Sequence, residues 1–152
     1  MDSYDKHILT LLQKDSSISL ADISEQVGLS QTPCWRRIQQ LEKAGVIRKK
    51  VALIDPEHVN LGLTVFVNLK TSQHNPDWLE SVQAFADDAP EVTEFYRLSG
   101  DTDYLLKVHV PDMKAYDAFY KRLISQAGFS DISSSFAMEQ IKYSTELPLN
   151  YI

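Results

Sequence analysis

The spacing of apolar residues shifts from helical to alternating after Asp55-Pro56. Before it, Tyr4, Ile8, Leu11 and Leu12 fall at i, i+4, i+7 and i+8, one stripe of an amphipathic helix. After it, Leu63, Val65, Val67 and Leu69 alternate with Thr64, Phe66, Asn68 and Lys70, the period-two pattern of a strand. Two periods in two successive blocks predict an α+β protein with a mainly helical part first.

In the first block, Ser19 is placed to cap a second helix with Leu20, Ile23 and Val27 inward. Gly28 suits the left-handed residue that ends it. Ser30 can cap a third helix, with Pro33 in the first turn, where backbone N–H groups have no intrahelical partner. Gly45 ends that helix. The β-branched run "VIRKKVALI" reads as a short hairpin or wing, broken by Asp55-Pro56. Three short helices, a tight "VGLS" turn between the second and third, and a wing outline a winged helix-turn-helix over residues 1–54.

A linker at 55–61 leads into a second domain at 62–152. Asn75-Pro76 introduces a helix with Trp78, Val82, Phe85 and Ala86 on one face. "EVTEFYRLSG" and "TDYLLKVHV" are strands joined at Ser99-Gly100-Asp101. A helix from near Asp112 turns Met113, Tyr116, Tyr120, Leu123 and Ala127 inward, and "SDISSSFAMEQIKYS" is the last strand. The order βαββαβ is ferredoxin-like, with both helices on one side of an antiparallel sheet. Phe66, Phe95 and Leu105 stand in registers opposite to Val65, Tyr96 and Leu106. Both faces are then apolar, and the uncovered one is expected to pack against another subunit.

Charge is divided as unevenly as the periods. The net charge is −6, yet the first fifty residues hold eight bases against six acids, and the remainder seven against fifteen. Between Gly28 and Lys50 there are six bases, with Glu42 the lone acid. This is the pattern of a polyanion-binding part joined to something else; a basic face that is merely solvated gives the same count. No apolar run approaches the roughly 18 residues of a membrane span, and "MDSYDKHILTLLQKD" has no secretory pattern. A single cysteine, Cys34, cannot form an internal disulfide and fits a reducing cytoplasm. His7, His58, His74 and His109 are scattered without zinc spacing, so neither a metal nor a cofactor is expected. No nucleophile-base-acid spacing or Gly-rich phosphate loop appears, and the chain is not expected to be an enzyme.

The basic stretch is "SQTPCWRRIQQLEKAG". Wound as a helix, it puts Cys34, Ile38 and Leu41 on a buried seam and Thr32, Arg36, Gln39 and Lys43 on the opposite side. Gln40 and Arg37 lie on one flank and Trp35 on the other. Arg can pair with guanine through two hydrogen bonds and Gln with adenine, and the second helix of a helix-turn-helix enters the major groove. Double-stranded DNA is therefore the expected partner. Arg37, Arg48, Lys49 and Lys50 are expected along the phosphates. Cys34 reads as a small buried hydrophobe, and Trp35 as a packing residue at the edge of the DNA-binding set.

Together, "VGLSQTPCWRRIQQLEKAGVI", "LSGDTDYLLKV" and "FAMEQIKYSTELPL" resemble the Lrp/AsnC (feast/famine) transcription regulators, over nearly the whole chain and with both domains in order. Within the family the resemblance is to the branch of DecR-type regulators of cysteine catabolism. It implies a sequence-specific regulator of amino-acid metabolism genes. It also implies a dimer formed through the C-terminal domains, often assembled into an octamer of four dimers, and control by an amino acid bound between neighbouring dimers. The matching effector positions are Gly100, Asp101, Thr102 and Asp103, with Ser133, Ser134 and Ser135 on the last strand. A Gly-Asp turn with open N–H groups could hold a carboxylate, and Asp101 or Asp103 an ammonium; a plain hairpin turn accounts for the same residues. The branch points to cysteine or another small amino acid.

Two departures bear on the operator. Lys49-Lys50 stands where many members have Gly-Tyr, and Gln40 where a base is common. Two alternatives use the same layout. An architectural DNA-wrapping protein would carry the same basic face without an effector, and a ligand titration separates the two. A sirohaem decarboxylase resembles the family too, but needs cofactor-handling groups and has no need of the basic face that this chain keeps.

Overall fold

The computed structural model describes residues 1–126 and 128–152, and the chain divides into two compact units, residues 1–53 with 141–152 and residues 54–140. The first unit has three helices, α1 (Ser3–Lys14), α2 (Leu20–Val27) and α3 (Gln31–Lys43). Asp2 caps α1 in a reciprocal box with Asp5, Ser19 accepts from the Asp22 N–H at 3.1 Å to cap α2, and Gly28 ends α2 at φ 77°. Ser30 holds the capping position of α3, but its side chain makes no capping hydrogen bond. The core is Ile8, Leu9, Ile23, Val27, Cys34, Ile38 and Leu41. Leu9, outside the predicted stripe, is buried, while Tyr4 is exposed. The reason is that α1 packs on both α2 and α3 and so needs a wider apolar arc than a single stripe.

The predicted wing is absent as β structure: among the described residues no strand lies between Lys43 and Leu63. "VIRKKVALI" has no Gly, Asn or Asp at which to fold back on itself, so a hairpin has nothing to close it. Val46 and Ile47 donate to the Leu41 carbonyl, and the extended residues beyond leave Val51, Leu53 and Ile54 each more than 60% exposed.

The second unit opens with a short 3₁₀ turn at Glu57–Val59, then β1 (Leu63–Thr71), α4 (Pro76–Asp88), β2 (Val92–Arg97), β3 (Tyr104–Val110), α5 (Met113–Ile124) and β4 (Phe129–Phe136). The sheet is antiparallel in the order β2-β3-β1-β4, the ferredoxin-like arrangement. Val65, Val67 and Leu69 of β1 and Leu106, Val108 and Val110 of β3 are fully buried against Trp78 and Val82 of α4 and Tyr116, Phe119 and Leu123 of α5. The inward stripe of α5 is centred on 116, 119 and 123; Phe119 joins it, Met113 is exposed, and Ala127 lies outside the described residues.

Three sequence expectations about the second domain shift. Phe95 was expected on the uncovered face, but it pairs with Leu106 on the helix-covered side, and Tyr96 stands opposite Leu105 on the open one. A register shift between Val92 and Glu94 inverts the alternation. The last strand ends at Phe136, because the Ala137 N–H bonds the Thr64 carbonyl and β1, its partner strand, begins just before, at Leu63. Residues 141–152, expected in the second domain, belong to the first unit. There Leu149 packs on the core, and the Gln13 side-chain amide both donates to the Leu147 carbonyl (3.2 Å) and accepts from its N–H (2.7 Å).

Candidate functional site

The buried seam of α3 is Cys34, Ile38 and Leu41, and the residues opposite it are exposed: Thr32, Arg36, Gln39 and Lys43, with Gln40 beside them. Arg48, Lys49 and Lys50 follow, also exposed. Trp35, read as a packing residue, is 52% exposed on the flank of this face. Burial pushes the Cys34 thiol up, which keeps it protonated and inert beside Ser24. Glu42, the lone acid of the stretch, accepts from Gln39 at 2.9 Å and pairs with Lys50 at 2.8 Å. Both pairs are exposed, and such contacts are worth about 0–1 kcal/mol, so a stronger anion displaces them at little cost.

Arg37 differs from the expectation that it lies at the phosphates. Its Nη1 is 2.8 Å from Asp2 Oδ2 and 2.8 Å from Asp5 Oδ1, and the guanidinium sits over the Tyr4 ring. Winding turns position 37 about 100° from position 36, and that rotation aims it at α1.

In the second unit, the turn at Ser99–Asp103 joins β2 to β3, with Gly100 at φ 127°, a backbone that a side chain would strain. Asp101 is 93% exposed and its Oδ2 lies 2.9 Å from Lys70 Nζ; that bond holds the Lys70 ammonium above its ordinary range. Asp103, expected to be open alongside Asp101, is committed to the fold. The β1–β3 ladder ends at Leu69–Tyr104, and beyond it the Thr71 N–H donates to Asp103 Oδ2 at 2.9 Å while the Asp103 N–H donates to the Leu69 carbonyl. Thr102 is half-buried between them.

Ser133, Ser134 and Ser135 do not share a face. Ser134 lies opposite Val67, under the helices, hydrogen-bonded to the Tyr116 hydroxyl. Ser133 and Ser135 lie opposite Asn68 and Phe66, on the open side, where Asp131 stands opposite Lys70. Lys70 is the residue that sequence reasoning missed: it was read as the polar half of an alternation, and only the turn's position makes it a partner. Elsewhere on the open face are Phe66, Leu105 and Tyr96, with a Lys107–Glu94 pair at 2.9 Å and His109 Nδ1 3.2 Å from Thr64 Oγ1.

Both units match models of known protein domains. A winged helix-turn-helix DNA-binding model matches residues 1–48, and an Lrp/AsnC ligand binding domain model matches residues 64–147. The chain belongs to the Lrp/AsnC family. It is a DNA-binding transcriptional regulator of that type. The DNA-binding transcriptional activator DecR of Escherichia coli K12 is 49% identical over 150 residues, covering 98% of this chain and 99% of that protein. An AsnC family regulator from Agrobacterium tumefaciens superposes with a TM-score of 0.95 at 57% identity, covering 100% of this chain and 99% of that one. A regulator from Neisseria meningitidis, solved as an L-Met complex, gives a TM-score of 0.94 at 41% identity, covering 99% and 98%. Among the described residues no helix is long and apolar enough to cross a membrane.

Proposed function

We propose that this Lrp/AsnC regulator reads a two-fold symmetric operator through α3 and adjusts its grip when a free amino acid binds at the Ser99–Asp103 turn. The observation that carries the first half is the exposed face of Thr32, Arg36, Gln39 and Lys43 opposite the buried seam of α3. Arg36 and Gln39 meet base edges, while Lys43, Arg48, Lys49 and Lys50 lie along phosphates, with Trp35 and Gln40 at the rim.

For the second half, the Lys70–Asp101 pair offers one charge of each sign at an exposed turn. An α-amino acid is the zwitterion that matches it, carboxylate to Lys70 and the open N–H groups of Gly100 and Thr102, ammonium to Asp101. Ser133, one strand over beside Asn68, adds a hydroxyl on the same face. The Neisseria relative's complex with L-Met supports an amino acid as the class, and a small one, cysteine among them, is the first choice for this chain.

Phe66, Leu105 and Tyr96 on the open sheet face are covered by a second copy, and dimers assemble further into an octamer. The protein acts in the cytoplasm on amino-acid metabolism genes, performs no catalytic step and needs no cofactor. A thermal-shift screen of the amino acids tests the effector: a ligand binding the folded state at a hundred times its Kd adds about 2.7 kcal/mol of stability. No shift with any amino acid, alongside selective DNA binding, would favour the architectural role instead.

A further inference from the structure

The side of α3 that meets α1 carries a cluster that base and phosphate recognition leave unused. Arg37 Nη1 donates to Asp5 Oδ1 at 2.8 Å and to Asp2, and its Cζ lies 5.3 Å from the Tyr4 ring centroid. The same carboxylates build the cap of α1. Asp2 Oδ1 accepts from the Asp5 N–H at 3.0 Å, and Asp5 Oδ2 accepts from the Asp2 N–H at 3.1 Å. One hydrogen-bonded set therefore ends α1 and grips the middle of α3. The Asp5 side chain is 16% exposed and that of Arg37 29%, against 50% for Asp2, so the Arg37–Asp5 bond is the more shielded half of the set.

Its position gives it leverage. Apolar contact along Cys34, Ile38 and Leu41 holds α3 down but is non-directional, so a three-residue seam leaves rotation about the helix axis weakly determined. A guanidinium on two carboxylates has defined geometry. Fixing position 37 fixes, one residue away, where Arg36 points, and with it Gln39 and Lys43 on the same face.

We propose that Arg37 is a positioning residue that locks the rotation of α3 against α1, and that Asp2 and Asp5 thereby serve base recognition without touching DNA. This rests on the reading of α3 as the recognition helix. It has a counter-intuitive sign. Acids in a DNA-binding domain repel phosphates, and on charge alone removing two of them tightens binding to any duplex. If they hold the recognition helix in register, removing them costs selectivity instead.

The test uses the full chain and two probes: a duplex selected by the wild-type protein from a random pool, and a random-sequence duplex of equal length. The proteins are Arg37→Ala, Asp2→Asn/Asp5→Asn, the triple variant, and Arg37→Lys, which keeps the charge but not the planar guanidinium that lies over the Tyr4 ring. Asn remains a good capping residue, so α1 keeps its start. The ratio of selected to random affinity is expected to fall on the order of fivefold or more in each, the scale of coupling within one hydrogen-bonded network. The triple variant should be no worse than the poorer of its parents, and the salt slope of Arg37→Ala should stay at the wild-type value. The proposal is overturned if the Asp variant keeps wild-type selectivity. It is equally overturned if Arg37→Ala keeps selectivity but flattens the slope by about one, the mark of a lost phosphate contact. Should Arg37→Ala fail to fold, Arg37→Lys and the Asp variant decide between these outcomes. A wild-type protein that discriminated no sequence would remove the recognition reading and the proposal with it.

Discussion

The helical unit and the sheet unit each set two residues of one type close together and give them different work. In α3 the pair is Arg36 and Arg37: one is exposed on the face away from the core, the other is held by Asp2 and Asp5. In the β2–β3 turn it is Asp101 and Asp103: one is exposed against Lys70, the other holds the Thr71 N–H. The serines of β4 repeat the division, with Ser134 bonded to Tyr116 while Ser133 faces outward. Residue type and position in the sequence do not separate a functional group from a structural one. The geometry of the element does: a helix turns neighbours about 100° apart, a strand turns them to opposite faces, and a partner within reach then claims one of the two.

The largest effect that would sharpen this contrast is in α3. Arg36→Ala removes an exposed side chain with no partner among the described residues and should leave the melting temperature nearly unchanged. It should cost about 1–3 kcal/mol of specific DNA binding and relax the base preference. Quantitative gel shifts on a selected duplex read this. Unchanged affinity and selectivity would mean that α3 is rotated from the orientation described.

The turn should show the reverse ordering. Asp103→Ala leaves the Thr71 N–H without its carboxylate and should destabilise the fold by about 1–2 kcal/mol. Asp101→Ala breaks only an exposed pair and should stay within about 0.5 kcal/mol of wild type. It should keep DNA binding and lose the effector's influence on it. Thermal melts, with gel shifts with and without the amino acid, separate the two. An Asp101→Ala protein that responds normally would rule out that role for Asp101.

How much of this was legible in the sequence follows the same lines. The helices, the order of elements and the seam of α3 could be read because periods of 3.6 and 2 report which side of an element is buried. The face of Arg36, Gln39 and Lys43 followed from the same wheel. What could not be read depends on contacts distant in sequence. Arg37's partners lie 35 and 32 residues away, and Lys70 meets Asp101 across 31. Phe95 was put on the wrong face because a bulge inverts alternation without leaving a glycine or proline to mark it. The end of β4 depends on where β1 begins, which no local pattern in "SDISSSFAMEQIKYS" records.

The smallest expected effect concerns the open sheet face, where neighbours again divide: Lys107 is paired with Glu94, while the His109 ring meets the Thr64 hydroxyl. Burial is the larger cause that pushes the His109 imidazole below its ordinary value. The Lys107 ammonium adds to the shift, and Glu94 opposes it. The unfolded chain takes up this proton near pH ~6.5, and the folded chain only at lower pH. Acidification through that window therefore favours unfolding: the contribution is fully present above pH ~6.5 and is lost as pH falls through the folded value. His7, His58 and His74 are common to both proteins, so the informative quantity is the difference between wild type and His109→Gln in melting temperature between about pH 7.5 and 5.5. Wild type should lose more than the variant. A second copy on this face would bury the ring further and enlarge the difference, and association measured by sedimentation should weaken over the same window. Equal losses in the two proteins would show that His109 is as well solvated folded as unfolded, and the open face would then be a solvated surface.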